Sequence, residues 1–295
     1  MTLEQLRIFV AVAEHMHVTR AAQALNLTQS AASAAIQALE ARHATKLFHR
    51  VGRGIALTDA GTAFLPEARA VLARADLAER ALNDLSALRR GSLALHASQT
   101  IANYWLPPLM HRFRTQHPGV LLDLTIGNTT QVAEAVTEGR ADLGFAEGDL
   151  DLDLEGFEHS SVPGDRLVLV VGAGHPWAQE RMIAPARFAE SAWVLRERGS
   201  GTRQVFEAAL GRLGVDSATL PVALELASNE AVRAAIEAGA GAGVLSSLAV
   251  ESGLRFGTLL RLEPHFPARR FRVLRHPEHY RSKAVEAFLD VVGSV

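Results

Sequence analysis

Three helix starts stand within the first thirty residues, and together they leave the N-terminus few ways to fold. Thr2 and Gln5 have capping-box spacing, and Leu3, Leu6, Phe9, Val10 and Ala13 follow at helical intervals, so a first helix is expected from Leu3 to His15. Thr19 is placed to cap a second, short helix from Arg20 to Leu25. Asn26-Leu27 breaks that helix before Thr28 caps a third, from Gln29 to Arg42. Ala21, Ala22 and Leu25 face Ala32, Ile36 and Leu39, and the small alanines let two helices approach closely across a three-residue turn. Periodicity alone fits any small trihelical core as well as a helix-turn-helix. The next segment shifts the balance: Leu47-Phe48 anchors a stretch in which Gly52 and Gly54 permit a tight turn between two short strands, a wing with Arg50 and Arg53 at its tip. Such arginines are placed for phosphates or the minor groove. Gln29, Ser30 and Ser33, on the first turns of the third helix, are placed for base edges in the major groove. The full set of expected DNA contacts is Thr19, Arg20, Thr28, Gln29, Ser30, Ser33, Gln37, Arg50 and Arg53.

Charge follows the same division. The net charge of -2 hides an N-terminus of sixty residues with six Arg or Lys against four Asp or Glu, while residues 91–295 carry nineteen against twenty-four. Between these regions Thr58 caps a helix expected to run to Arg89. Phe64, Ala68, Val71, Ala75, Ala78, Leu82 and Leu85 repeat along it at alternating spacings of four and three, which is a heptad seam. A rod of roughly 45 Å is too long for a small domain and is expected to pair with a second copy, although a buried amphipathic helix of a larger globule has the same pattern. Arg69, Arg74, Asp76, Glu79, Arg80 and Asp84 lie off the seam, as a solvated or partner-bridging surface requires, and Pro66 is expected to kink or tighten the first turns.

From Ser92 the pattern changes to β-α alternation, with strands expected at Ser92–Ala97, Leu121–Ile126, Asp142–Ala146 and Leu167–Val171, in parallel sheets covered by helices. Two crossings, near 161–165 and 264–268 and marked by Pro163, Pro264 and Pro267, would join two lobes through a hinge. A strand at Phe271–Leu274 and a helix at Ser282–Val292 would complete the first lobe. Ligands of open α/β sheets collect at the carboxyl ends of strands, where helix N-termini offer free N–H groups and a positive dipole end. Four such places exist here: Ser98-Gln99-Thr100, Asn128-Thr129-Thr130, Gly199-Ser200-Gly201-Thr202 and Ser228-Asn229. Hydroxyls and bare amides suit a small anion, and Arg196 could add a charge-assisted bond; each place taken singly also reads as a plain helix cap.

The segments LEQLRIFVAVAE, TRAAQALNLTQSAASAAIQALE and KLFHRVGRGIALTDAG resemble, in order and spacing, the DNA-binding region of LysR-type transcriptional regulators, though the family often has an arginine where this chain has Ala34. The stretch from Ser98 to Gly148, with RERGSGTRQVFE later, is similar to the effector domain of that family, which is akin to periplasmic binding proteins. Within the family it is most similar to the branch of CysL-type sulfur and CbbR-type carbon-fixation regulators, from which Gln99 and Ala102-Asn103-Tyr104-Trp105 depart. The resemblance implies an α/β protein with an N-terminal all-α winged helix-turn-helix (1–58), a linker and dimerisation helix (59–90) and a two-lobed, type 2 periplasmic-binding-protein-like domain (91–295). Its lobe I would comprise 91–162 and 267–295, and its lobe II 163–266. The resemblance also implies Ser98, Thr100, Asn128, Thr129, Glu147, Arg196, Gly199, Ser200 and Thr202 around the effector. Gln99 and Asn229 complete the expected set, and dimers of dimers on promoter DNA are implied as well.

Other classes find little support. There is no cysteine, so disulfides, thiolate metal sites and cysteine nucleophiles are excluded. The twelve histidines are scattered, and no HExxH, GxSxG, GxxxxGK or GxGxxG element occurs, so neither catalytic residues nor a metal or cofactor is expected. His15, His17, His43, His49, His111, His117, His175 and His276 read as surface or structural. The start lacks a secretory signal and no apolar run reaches the roughly 18 residues of a membrane helix, which leads to the expectation of a cytoplasmic protein with no membrane partner. A solute-binding carrier remains the rival that two lobes allow. The expected partners are double-stranded promoter DNA, a second copy of the chain in a homodimer or homotetramer, and a small anionic effector. Sulfur oxyanions rank ahead of phosphorylated metabolites and organic acids.

Overall fold

The computed structural model describes residues 1–51, 54–84, 91–147, 156–264, 266 and 268–294, with main chain only at 77 and 80–84. The chain divides into two compact units, one built on the N-terminal residues through the long helix and one on the residues after it.

In the first unit, α1 (Leu3–His15) starts at the Thr2–Gln5 capping box and buries Leu6, Ile8, Phe9, Val12 and Ala13. Helix α2 (Val18–Ala24) begins earlier than expected. The cap is His17, whose ring Nδ1 accepts from Arg20 N at 3.5 Å, rather than Thr19. An imidazole acceptor two residues upstream does the work of the expected hydroxyl. Asn26 takes the left-handed conformation (φ 55°) that closes the turn, and Thr28 caps α3 (Gln29–His43) through Ala31 N. Strands β1 (Phe48–Val51) and β2 (Gly54–Leu57) pair antiparallel as the wing, whose tip at Gly52 and Arg53 lies outside the described residues.

Helix α4 (Asp59–Asp84) follows, its Gly61 N–H bonded to Thr58, and passes Pro66 as one continuous helix. Its first turns are not a free seam: Ala68 is fully buried and Phe64, Leu65 and Leu72 pack on the head core formed by α1, α2 and α3. Two of the charges expected to be solvated or to bridge to a partner also pair with α1, Asp76 while remaining exposed. Arg69 pairs with Glu14 at 3.0 Å and Arg7 with Asp76 at 3.9 Å. Val71 and Ala78 remain exposed, and the expected continuation to Leu85 and Arg89 lies outside the described residues.

The second unit is built on a mixed seven-stranded sheet in the order β10-β6-β11-β5-β3-β4, with β9 also pairing β6. Strands β3 (Gly91–Ser98), β4 (Val120–Gly127) and β5 (Leu143–Glu147) are parallel, so their carboxyl ends share one edge. The wholly parallel sheets expected from sequence are corrected by β6 (Glu158–Gly172), a single long strand that pairs antiparallel with β11 (Ala268–Arg275) over its first half. Over its second half it pairs antiparallel with β9 (Gly243–Ser246) and β10 (Leu259–Leu262). β11 also runs antiparallel to β5. The period-2 apolar pattern that marks a strand carries no information about its direction.

The two largest cores along this sheet lie one in each lobe. One gathers β3, β5, β11, α5 (Leu106–Gln116) and α10 (Lys283–Gly293) around Phe113, Phe145, Phe271 and Phe288. The other gathers Trp177, Phe188, Trp193 and Phe206 with the second half of β6. Outside the main sheet, β7 (Trp193–Arg196) pairs in parallel with β8 (Val222–Leu226), and α7 (Gly201–Arg212), α8 (Asn229–Glu237) and α9 (Ser247–Phe256) cover the second lobe. Helix α6 (Thr129–Thr137) lies against β5, and a π-helical turn at Ile101–Trp105 precedes α5. Among the described residues, no helix is long and apolar enough to cross a membrane.

Candidate functional site

The carboxyl ends of β3, β4 and β5 place Ser98, Asn128-Thr129 and Glu147 side by side, because parallel strands in register end together. Facing them stand the starts of α7 and α8 from the other lobe. The two sides touch directly. Asn229 N donates to Gln99 Oε1 at 2.9 Å, Gln99 Nε2 to the Ala227 carbonyl at 2.7 Å, and Asn229 Nδ2 to Thr100 Oγ1 at 3.1 Å. Thr130 N reaches the Gly199 carbonyl at 3.4 Å, and Asn128 Nδ2 reaches Glu197 at 3.4 Å. Every residue expected at the effector thus lies along one interlobe cleft, but the residues there play different parts.

Some have their hydrogen bonds already committed. Arg196, 4% exposed, binds both oxygens of Glu197 through Nε (2.7 Å) and Nη2 (2.9 Å), while its Nη1 donates to Asn229 Oδ1. Its charge is therefore matched by its own neighbour. Asn128 caps α6 through Gln131 N, and Ser228 caps α8 through Ala231 N, so both act in part as plain caps. Others are open: among the described residues the buried hydroxyls of Ser98, Thr129 and Ser200 and the Oε1 of Glu147 have no hydrogen-bond partner. Ser200 occupies the N-cap position of α7 yet its side chain caps nothing, which leaves its hydroxyl available. Gly199 adopts a φ of +87° that suits glycine, and a Cβ on Gly201 would lie 2.6 Å from Thr129 Oγ1 and 3.1 Å from Glu147 Oε2. The glycines let one turn press against the other lobe.

Beneath the cleft lies a buried ion cluster that sequence reasoning missed. Arg269 donates to Asp165 Oδ1 at 2.5 Å and Oδ2 at 3.1 Å, to Thr202 at 3.3 Å, and faces Glu147 Oε2 at 3.5 Å; Ser246 donates to the same Asp165. Burial works against the charged guanidinium, but Glu147 and Asp165 outweigh it and hold the Arg269 pKa above its ordinary value. A signal existed, since Arg269 shares a strand face with Phe271 and Val273, an arginine at an apolar position of period 2. A second missed group is a latch at the cleft edge, where Asn103 (3.1 Å) and Tyr104 (3.0 Å) donate to Glu230. Burial and then the Glu230 charge push the Tyr104 hydroxyl up to about 12. Burial alone would raise Glu230, but its own N–H, Ser228, Tyr104 and Asn103 hold it below the usual carboxylate range.

In the N-terminal unit Thr19, Arg20, Thr28, Gln29, Ser30, Gln37 and Arg50 are exposed, and Ser33 is half-buried, its hydroxyl accepting from Gln29 at 3.0 Å; Arg53 lies outside the described residues. Ala34 is exposed on the same helix. Glu40, near the end of α3, belongs to a third group that sequence reasoning missed. Its carboxylate accepts from Leu47 N (2.9 Å), Phe48 N (3.3 Å) and Lys46 Nζ (2.6 Å), fixing the base of the wing to α3. Among the histidines, His175 is structural as expected: its Nδ1 accepts from Trp177 N at 3.1 Å, its Nε2 meets Ser191 Oγ at 3.0 Å, and burial lowers its pKa. Among the described residues no group of three or more His, Asp or Glu is arranged to hold a metal ion.

Residues 3–62 match the model of the bacterial regulatory helix-turn-helix protein, lysR family, and residues 86–295 that of the LysR substrate binding domain. The chain is 35% identical, over 99% of its length and 96% of the relative's, to a RuBisCO operon transcriptional regulator from Allochromatium vinosum. The fold is shared with full-length CbnR complexed with its target DNA, with a TM-score of 0.71 at 23% identity, covering 100% of this chain and 99% of that one. It is also shared with the CcmR regulatory domain of Synechocystis PCC6803 in complex with 2-PG, with a TM-score of 0.61 at 27% identity, covering 70% of this chain and 97% of that one. With a helix-turn-helix head, an α/β domain of two lobes and matches along nearly its whole length, the chain belongs to the LysR family: it is a DNA-binding transcriptional regulator with an effector-binding domain, not an enzyme.

Proposed function

We propose that this regulator is controlled by a small anion held between the two lobes of residues 91–295, and that residues 1–58 carry the DNA contacts while residues 59–90 pair two copies. The observation that carries the reading is the set of three buried hydroxyls without a partner among the described residues, on Ser98 at the end of β3, Thr129 at the start of α6 and Ser200 at the N-cap of α7. A buried hydroxyl without a partner costs free energy, and helix N-termini attract negative charge, so an oxyanion satisfies both at once. Gln99, Thr100, Asn128, Arg196, Gly199, Thr202 and Asn229 frame the ligand by holding the lobes at the right separation. The similarity to a regulatory domain that binds 2-PG supports a small effector, and the family supports oligomers on promoter DNA. Anion binding closes the lobes about β6 and β11, shifts the contacts between copies and changes the spacing or bend imposed on DNA by the heads. A homotetramer of two such pairs, working in the cytoplasm, is the assembly we favour.

Thermal shift of the full chain with sulfite, sulfate, phosphate, 2-PG and small carboxylates tests the sensor, since a ligand of the folded state raises the midpoint with the logarithm of its concentration over Kd. Thr100→Ala and Thr202→Ala should lose that shift yet still retard a promoter fragment beside the protein's own gene. Ser33→Ala and Arg50→Ala should do the reverse, and loss of a phosphate contact at Arg50 should lower the salt slope of binding by about one. Loss of both properties in every variant would overturn the division of labour.

A further inference from the structure

Glu147 sets a condition on the ligand that the surrounding hydroxyls do not. It ends β5 at 2% exposure, and its two oxygens have different surroundings. Oε2 accepts from Thr202 at 3.3 Å and faces Arg269 at 3.5 Å, whereas Oε1 receives no hydrogen bond among the described residues. Thr129 Oγ1 and Glu147 Oε2 both crowd the same side of Gly201, and Ser98 ends the strand beside β5, so the carboxyl group that carries the open oxygen stands next to the strand and helix ends that carry the open hydroxyls. The local charge makes the contrast sharper. Arg269 already faces two carboxylates, Glu147 and Asp165, and Arg196 is held by Glu197. Neither buried arginine is left with charge that a ligand alone would balance.

A ligand oxygen without a proton, set against Glu147 Oε1, would oppose a carboxylate lone pair in a site shielded from water. An O–H or N–H there makes a charge-assisted hydrogen bond instead. We infer that Glu147 is a specificity-determining acceptor, so the effector is an anion that keeps a hydrogen-bond donor, such as a protonated oxyanion or a hydroxy acid, and a fully deprotonated oxyanion such as sulfate is refused. This rests on the reading of the cleft as an anion site and narrows its chemistry. Sulfate and inorganic phosphate are nearly the same size and shape, but at neutral pH only phosphate carries a proton. Acetate and glycolate differ in the same sense by one hydroxyl.

The test is calorimetric titration of the full-length protein with these four anions at matched ionic strength and pH 7. Wild type should bind phosphate about tenfold or more tightly than sulfate, and glycolate more tightly than acetate, because a charge-assisted hydrogen bond is made in one case and opposed in the other. In Glu147→Gln, whose amide can donate as well as accept, the phosphate preference should collapse to about threefold or less, with sulfate gaining. Equal affinities in wild type, or an unchanged preference in Glu147→Gln, would overturn the inference while leaving an anion site intact, provided Ser200→Ala weakens all the anions together. No binding of any of the four to wild type would remove the anion reading itself, and this inference with it. The wild-type comparison needs no variant and decides the matter even where Glu147→Gln fails to fold.

Discussion

Two charged side chains illustrate how much depends on a single residue's partners. Glu40 satisfies two main-chain N–H groups at the root of the wing and pairs with Lys46. Burial acts to raise its pKa, but Lys46, Leu47 and Phe48 together hold it below the ordinary carboxylate value of 4.5. A depressed pKa in the folded state adds stability above the unfolded value, and that stability is lost as pH falls through the folded one. Glu40→Gln should therefore lower the stability of the head by about 1–3 kcal/mol in urea unfolding at pH 7. The gap to wild type should narrow toward pH 4 and below; a gap that widens on acidification would contradict the assignment. Arg269 is the more demanding case, since its removal strands two buried carboxylates. Arg269→Met should cost about 3–5 kcal/mol by chemical denaturation. Arg269→Lys should recover only part of it, because an ammonium cannot bind both oxygens of Asp165 as the planar guanidinium does.

At the scale of elements, tight approaches decide what can move. Helix α7 begins at Gly201, and even a methyl group there would meet Thr129 Oγ1 and Glu147 across the cleft. Gly201→Ala should hold the lobes apart, abolishing the thermal shift given by an effector while leaving promoter retardation at wild-type salt dependence. Helix α4 has a divided role. One face completes the head core through Phe64, Ala68 and Leu72, while Val71, 42% exposed, lies on the face that is left open for pairing copies in the proposed dimer. Val71→Asp should lower the dimer fraction in sedimentation velocity without lowering the melting midpoint of the isolated head fold, whereas Ala68→Asp, in the core, should unfold it.

For the C-terminal unit as a whole, β6 pairs with β11 over its first half and with β9 and β10 over its second, so the closure proposed above would be absorbed where β6 passes from one set of partners to the other, next to Asp165 and Arg269. The Glu230 latch links the π-helical turn to α8. Glu230 titrates below the usual carboxylate range, so the latch is at full strength above about pH 4.5 and weakens as pH falls further. Tyr104→Phe and Glu230→Gln should each favour the open arrangement, read as a larger radius of gyration of the ligand-free protein and a weaker effector, with DNA binding retained. Unchanged scattering in both variants would mean the latch holds nothing that matters.

Much of this was legible in the sequence for local reasons. Caps, turn glycines and apolar periods act over three or four residues, which is why α1, α3, the wing and the segments carrying Ser98 and Thr129 could be placed from the chain alone, whereas Glu147 was implied only by the family resemblance. The His17 cap escaped because imidazole is an uncommon acceptor there, and the direction of β6 and β11 escaped because alternation is the same for parallel and antiparallel strands. Only the tertiary structure decided which arginine is which. Arg196 stood out beside a glycine-rich turn yet is neutralised by Glu197, while Arg269 sat unremarked in the run Ala268-Arg269-Arg270-Phe271-Arg272 and proves to be the buried partner of Asp165 and Glu147. The reason is physical. A cap is a contact between neighbours in sequence, whereas the sign of the field at a buried site is the sum over groups that the chain brings together from positions more than a hundred residues apart.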